Sequence, residues 1–65
     1  MFRKERLEEA RKKKGLSQHK LAELAAISQP AISLFISGKK QPSTETLEIL
    51  ADILEVTTDY LLGRD

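Results

Sequence analysis

Two Ser-Gln pairs, Ser17-Gln18 and Ser28-Gln29, carry the chain's most specific chemistry, and each opens a short amphipathic run. A serine at a helix start accepts from the free amides of the first turn. The glutamine after it then has a carboxamide that donates and accepts at once. Such a group matches the edge of adenine at two points, a pairing worth ~1–3 kcal/mol of discrimination. Gln29, Pro30, Ser33 and Leu34 fall at the first, second, fifth and sixth positions of the second run, on one outward face opposite Ile32 and Phe35. Pro30 costs little there, because first-turn amides have no intrahelical partner. Its ring and Leu34 suit thymine methyl groups, although Leu34 suits equally a half-buried support position. Ser33 suits a base, a phosphate or a carbonyl of its own helix.

The same inventory argues against catalysis. His19 is the only histidine and there is no cysteine, so no pair of side chains is set up for general acid–base or thiolate work. No glycine-rich phosphate loop or metal-spaced cluster occurs, and neither a cofactor nor a metal is expected. No apolar stretch approaches the ~20 residues that span a bilayer. The opening MFRKER lacks the apolar core of a secretory signal, and a cytoplasmic protein is expected. Sixty-five residues suffice for one small domain, residues 1–65, held by helix packing alone.

Net charge is +1, but it is unevenly spread. Residues 1–41 hold ten Lys/Arg against four Glu, whereas residues 42–65 hold one Arg against six Asp/Glu. One side is therefore suited to a polyanion while the other stays acidic.

These residues need a scaffold, and the periodicity supplies one. A first helix is expected over roughly Lys4 to Lys14, with Leu7 and Ala10 inward and Glu8–Lys12 and Glu9–Lys13 paired along the surface. Gly15 stops it. The run Arg11 to Lys14 suits the negative helix end as well as a phosphate. Ser17 caps a second helix whose inner face is Leu21, Ala22 and Ala25. Ala26-Ile27 turn the chain, with Ile27 as a plug, and Ser28 caps the third helix, which Gly38 ends. Two short helices joined so tightly cross steeply, the geometry that projects the second into a DNA major groove. Ser43 caps a fourth helix with a stripe of Leu47, Leu50, Ala51 and Leu54, and Thr57 or Thr58 caps a last one through Leu62. The expectation is an all-α, compact five-helix bundle.

GLSQ at 15–18, LAE at 21–23, IS at 27–28, AIS at 31–33, GKKQPS at 38–43, TLEILA at 46–51 and DYLLG at 59–63 stand in order over nearly the whole chain. This pattern resembles the Cro/lambda-repressor type of helix-turn-helix domain, the XRE family of bacterial and phage regulators. The resemblance implies a transcriptional regulator, most simply a repressor, that binds double-stranded DNA operators as a two-fold dimer. It implies base reading by Gln29, Pro30, Ser33 and Leu34. It further implies a phosphate anchor at Gln18 that braces Gln29, with Ser28, Ser37, Lys39, Lys40, Gln41 and Arg11 as further phosphate contacts.

Three positions depart from the family pattern. A turn glycine is replaced by Ala26, which must take a negative φ or accept mild strain. An acid that often pairs with the arginine at position 11 is replaced by Ile36, leaving Arg11 free for a phosphate or solvent. A commonly polar reading position holds Leu34. The family's two-fold contact lies around its C-terminal helices, so Ile49, Ile53, Thr58 and Tyr60 are expected at a dimer interface, with Ile53 also suited to the core. The rival expectation is an antitoxin or adaptor that uses the fold to bind another protein through Leu24, Leu34 and Ile36.

Overall fold

Four of the five helix starts are written in the sequence as a hydroxyl three residues ahead of a free amide. Ser17 Oγ accepts from Lys20 N, Ser28 Oγ from Ala31 N, Ser43 Oγ from Thr46 N and Thr57 Oγ1 from Tyr60 N, at 2.9–3.2 Å. The computed structural model, which describes residues 1–65, is all-α: α1 Lys4–Lys14, α2 Gln18–Ala25, α3 Gln29–Ser37, α4 Thr44–Leu54 and α5 Thr58–Leu62. It is the expected five-helix bundle, without a strand.

Each helix ends on a left-handed residue whose amide, with the next one, closes onto carbonyls of the last turn. At Gly38 both the backbone conformation and a neighbouring side chain favour glycine. Its φ is +80°, and a Cβ there would lie 2.8 Å from Lys4 Cδ. Ala26 and Glu55 take the same conformation with a side chain, at φ +58° and +57°. Of the two outcomes open to Ala26, the strained one is realised. The reason is that Ala26 N and Ile27 N must reach the Glu23 and Ala22 carbonyls to close α2, at 3.2 and 3.1 Å.

The helices converge on one cluster in which Leu7, Leu21, Ile32, Leu50 and Leu61 are fully enclosed. Each large aliphatic side chain buried in this way contributes ~1.5–3 kcal/mol relative to exposure. Ala10, Ala22, Ala25 and Ala51 are the small residues that let the helix axes approach, while Phe35, Leu47 and Leu54 fill the space between them. Ile27 and Ile53 are half-buried and pack against this core. Phe2, ahead of any periodic segment, is also buried. It is brought in because Arg3 N donates to Leu61 O at 2.8 Å, tying the N-terminal stretch to α5.

The pairing expected along α1 is corrected. Glu8 is held mainly by Arg11, whose Nε and Nη2 reach its two carboxylate oxygens at 2.8 and 2.9 Å, while Lys12 stands off at 4.0 Å. A planar guanidinium one turn away gives two parallel bonds that an ammonium cannot. Arg11 Nη1 also donates to Leu16 O, so this side chain fastens α1 to the turn that leads into α2. Glu9 has no Lys13 partner, accepting instead from the Tyr60 hydroxyl at 2.9 Å. The Tyr60 ring lies beneath the Arg6 guanidinium, 4.7 Å from its centroid. Arg6 in turn donates to Tyr60 O and to Asp65, which joins α1 to α5.

Two stability measurements follow from these contacts. Ala26→Gly relieves the left-handed strain and removes only an exposed methyl, so it raises stability by ~0.5–1 kcal/mol, visible as a rise of a few degrees in the melting midpoint. A lower midpoint would mean that the αL turn carries no strain. The Arg11 guanidinium holds the Glu8 carboxyl below the ordinary carboxylate range. A depressed carboxyl stabilises the fold above its unfolded pKa of ~4.3, and that contribution disappears as pH falls through the lower folded value. The stability gap between the wild type and Glu8→Gln therefore persists at neutral pH and narrows in acid, below about pH 4. Calorimetry across that range checks it; a gap independent of pH overturns it.

Candidate nucleic-acid interface

The residues named from the sequence as a reading face form one ridge on α3. Gln29, Pro30 and Ser33 are exposed and Leu34 is 39 % exposed, while Ile32 and Phe35 on the opposite side are buried. The cause is local. Ser28 caps α3 through Ala31 N, Pro30 occupies a first-turn position where no amide is needed, and the core takes the other face. Ala26-Ile27-Ser28 is the whole connection between α2 and α3, and the two helices pack directly on one another. Half-buried Ile27 pins that connection to the core. The N-terminal turns of α2 and α3 are both uncovered at their exposed caps, Ser17 and Ser28.

Gln18 occupies the first position of α2 and is half-buried. The sequence reading has it bracing Gln29; the structure gives it a different partner, Ser33, whose Oγ donates to Gln18 Oε1 at 2.9 Å. Gln29 makes no side-chain hydrogen bond, so its donors and acceptor are all unoccupied. A side chain one full turn further along α3 is better aligned with Gln18 than the residue that opens the helix.

At the far end of α3, Ser37 Oγ donates back to Leu34 O at 3.1 Å. Lys39 N and Lys40 N close onto the same carbonyl at 3.0 and 3.3 Å, which fixes the backbone of this loop. The Lys39 and Lys40 side chains are exposed and join none of the five ion pairs in the protein. Gln41 is exposed beside Phe2 on the wall of a shallow groove. Helix α3 and the loop to Pro42 contain no acidic residue, so this surface presents amides, hydroxyls, methyls and two unpaired ammonium groups. Such a surface complements phosphate oxygens, which only accept, and the mixed edges of bases.

Arg11 leaves this set. Its side chain is 13 % exposed, with three guanidinium nitrogens committed to Glu8 and Leu16. The family pattern points to a partner at Ile36, on another helix, whereas the acceptor is Glu8, one turn back in α1. Residues placed at the expected dimer face divide. Ile49 is 39 % exposed, whereas Ile53, Thr58 and Tyr60 are half-buried, and Tyr60 is engaged at both its ring and its hydroxyl. Leu24, at 49 %, is the most exposed large aliphatic residue after Met1. No helix is long and apolar enough to cross a membrane.

This arrangement matches known proteins in both sequence and shape. The family model described as Helix-turn-helix matches residues 7–61. The HTH-type transcriptional regulator AnsR of Bacillus subtilis is 43 % identical over 61 residues, 94 % of this chain and 53 % of its own. The chain thus spans about half the length of the curated relatives it matches. Among solved structures, the P22 c2 repressor in complex with a synthetic operator superimposes with a TM-score of 0.91 at 32 % identity, covering 100 % of this chain and 98 % of that one. SinR, a master regulator for biofilm formation, superimposes in its DNA complex with a TM-score of 0.86 at 30 % identity, covering 91 % and 98 %. In complex with the SinI protein it does so at 0.86 and 32 %, covering 91 % and 58 %. The capped, tightly joined helix pair, the matched residues 7–61 and these relatives agree: the chain belongs to the helix-turn-helix family of the Cro/lambda-repressor (XRE) type, a family of DNA-binding transcription regulators and not of enzymes.

Proposed function

We propose that residues 1–65 form the DNA-binding domain of a bacterial or phage transcriptional repressor that acts in the cytoplasm and reads operator DNA in the major groove through α3. The carrying observation is the acid-free ridge of Gln29, Pro30 and Leu34, flanked by the uncovered N-terminal turns of α2 and α3 on one side and unpaired Lys39 and Lys40 on the other. Gln29, with every hydrogen-bonding atom unoccupied, takes the adenine edge; Pro30 and Leu34 take thymine methyls. Gln18, Ser28, Lys39, Lys40 and Gln41 hold the two sugar–phosphate walls and set register without reading sequence, whereas Ser37 drops out because its hydroxyl proton goes to Leu34 O. The similarity to the P22 c2 repressor in its operator complex and to SinR in its DNA complex supports this reading.

Two copies are proposed to meet on the acidic side of the molecule around Ile49, Ile53, Thr58 and Tyr60, which places their reading helices ~34 Å apart on one DNA face. Exposed Ile49 supports this. A second reading, a protein-binding adaptor or antitoxin, is favoured by exposed Leu24 and by the similarity to SinR bound to SinI.

Selection from random duplexes yields the cognate site, and titrations at several salt concentrations then separate the roles. Gln29→Ala costs ~1–3 kcal/mol on the cognate site and little on random DNA. Lys40→Ala weakens both duplexes alike and lowers the salt slope by ~1. Equal losses for both variants on both duplexes would end this division of labour. A wild-type affinity that hardly responds to salt would favour the protein-binding reading. Equilibrium sedimentation on a selected two-half-site duplex is expected to find two chains per duplex; one chain removes the dimer.

A further inference from the structure

The bridge between Ser33 and Gln18 joins the two helices on their outer surface, where the core gives no reason for it. Ser33 Oγ lies 2.9 Å from Gln18 Oε1 and is the donor. A serine hydroxyl has one proton, and here that proton is committed to Gln18. While the bridge holds, Ser33 has only lone pairs to offer, so it cannot donate to a phosphate or to the O6 and N7 acceptors of guanine. Gln18 has the reverse problem. The bond to one lone pair of Gln18 Oε1 fixes that arm of the planar carboxamide toward Ser33, so the amide nitrogen with its two donors lies on the other arm. A phosphate oxygen accepts only, so Gln18 Nε2 is the half of that side chain a DNA backbone can use.

We infer that Ser33 is a positioning residue: by holding Gln18 Oε1 it presents Gln18 Nε2 to the DNA backbone and couples the phosphate grip of α2 to the reading ridge of α3. This rests on the DNA-binding reading given above. It also accounts for Gln29, which is left without an internal partner because Ser33 has taken the place of the brace. A glutamine fixed before DNA arrives loses less side-chain entropy on contact than a free one. The ridge then reads sequence through Gln29, Pro30 and Leu34, while Ser33 serves the backbone contact.

The test is a double-variant cycle on the full chain, titrated against the selected cognate duplex and a random duplex. Ser33→Ala is expected to weaken both duplexes to the same extent, about two- to tenfold, the range of one neutral hydrogen bond. Its melting midpoint stays at the wild-type value, since Ser33 is exposed and lies outside the core. Ser33→Thr keeps the hydroxyl and restores binding. Gln18→Ala shows a loss of similar size, and adding Ser33→Ala to it costs nothing further, because the shared contact is already gone. The inference is overturned if Ser33→Ala weakens only the cognate duplex and relaxes one base pair, which makes Ser33 a reader. It is equally overturned if the two single losses multiply in the double variant. In both cases the wild type still binds DNA and the functional reading stands; a wild type that binds neither duplex ends both.

Discussion

Everything on the working surface depends on a connection of three residues, Ala26-Ile27-Ser28. Within it, Ala26 accepts a left-handed backbone so that α2 can close, Ile27 anchors in the core, and Ser28 caps α3. The two helices pack directly on one another across it, and the capping serines at both N-terminal turns stay exposed. The cost is the conformation of Ala26, on the order of 1 kcal/mol, which the enclosed Leu21 and Ile32 on either side of the turn outweigh.

Two arginines, Arg6 and Arg11, fasten helices to one another, and the lysines at the end of α3 remain exposed. Arg11, closed onto Glu8 and Leu16, fixes where α2 begins. Arg6, stacked on Tyr60 and bonded to Asp65, fixes α5 against α1. Guanidinium groups suit such roles because their planar donors satisfy several acceptors at fixed angles. Lys39 and Lys40, by contrast, stand on a loop whose backbone is tied to Leu34 O while their ammonium groups stay solvated. Solvated point charges are suited to replacing counterions along a phosphate wall.

The reading ridge is chemically sparse. It offers one free carboxamide and two apolar surfaces, with no charged side chain between Gln29 and Ser37. On the proposed reading, such a ridge recognises shape and methyl groups more than a long series of hydrogen bonds, so the precision with which backbone contacts seat the helix becomes more important. The bridge from Ser33 to Gln18 ties the start of α2 to this ridge and, on the proposed reading, belongs to that seating.

Much of this protein was legible in its sequence, because the deciding interactions are local. A hydroxyl three residues ahead of an amide makes a cap, a glycine tolerates the left-handed stop, and Leu47, Leu50, Ala51 and Leu54 recur at helical period. The caps Ser17, Ser28 and Ser43, a last cap at Thr57 or Thr58 that the structure assigns to Thr57, and the exposure of Gln29, Pro30 and Ser33 followed from such rules. Side-chain partners did not follow. Which acceptor takes Arg11, whether Gln18 meets Gln29 or Ser33, that Tyr60 turns to Glu9 and that Phe2 enters the core depend on distances between segments far apart in the chain or on competition among near neighbours. Spacing along one helix gives a set of possible pairs; only the packed positions of α1, α2, α3 and α5 select among them, since a hydrogen bond is lost within an ångström of misplacement.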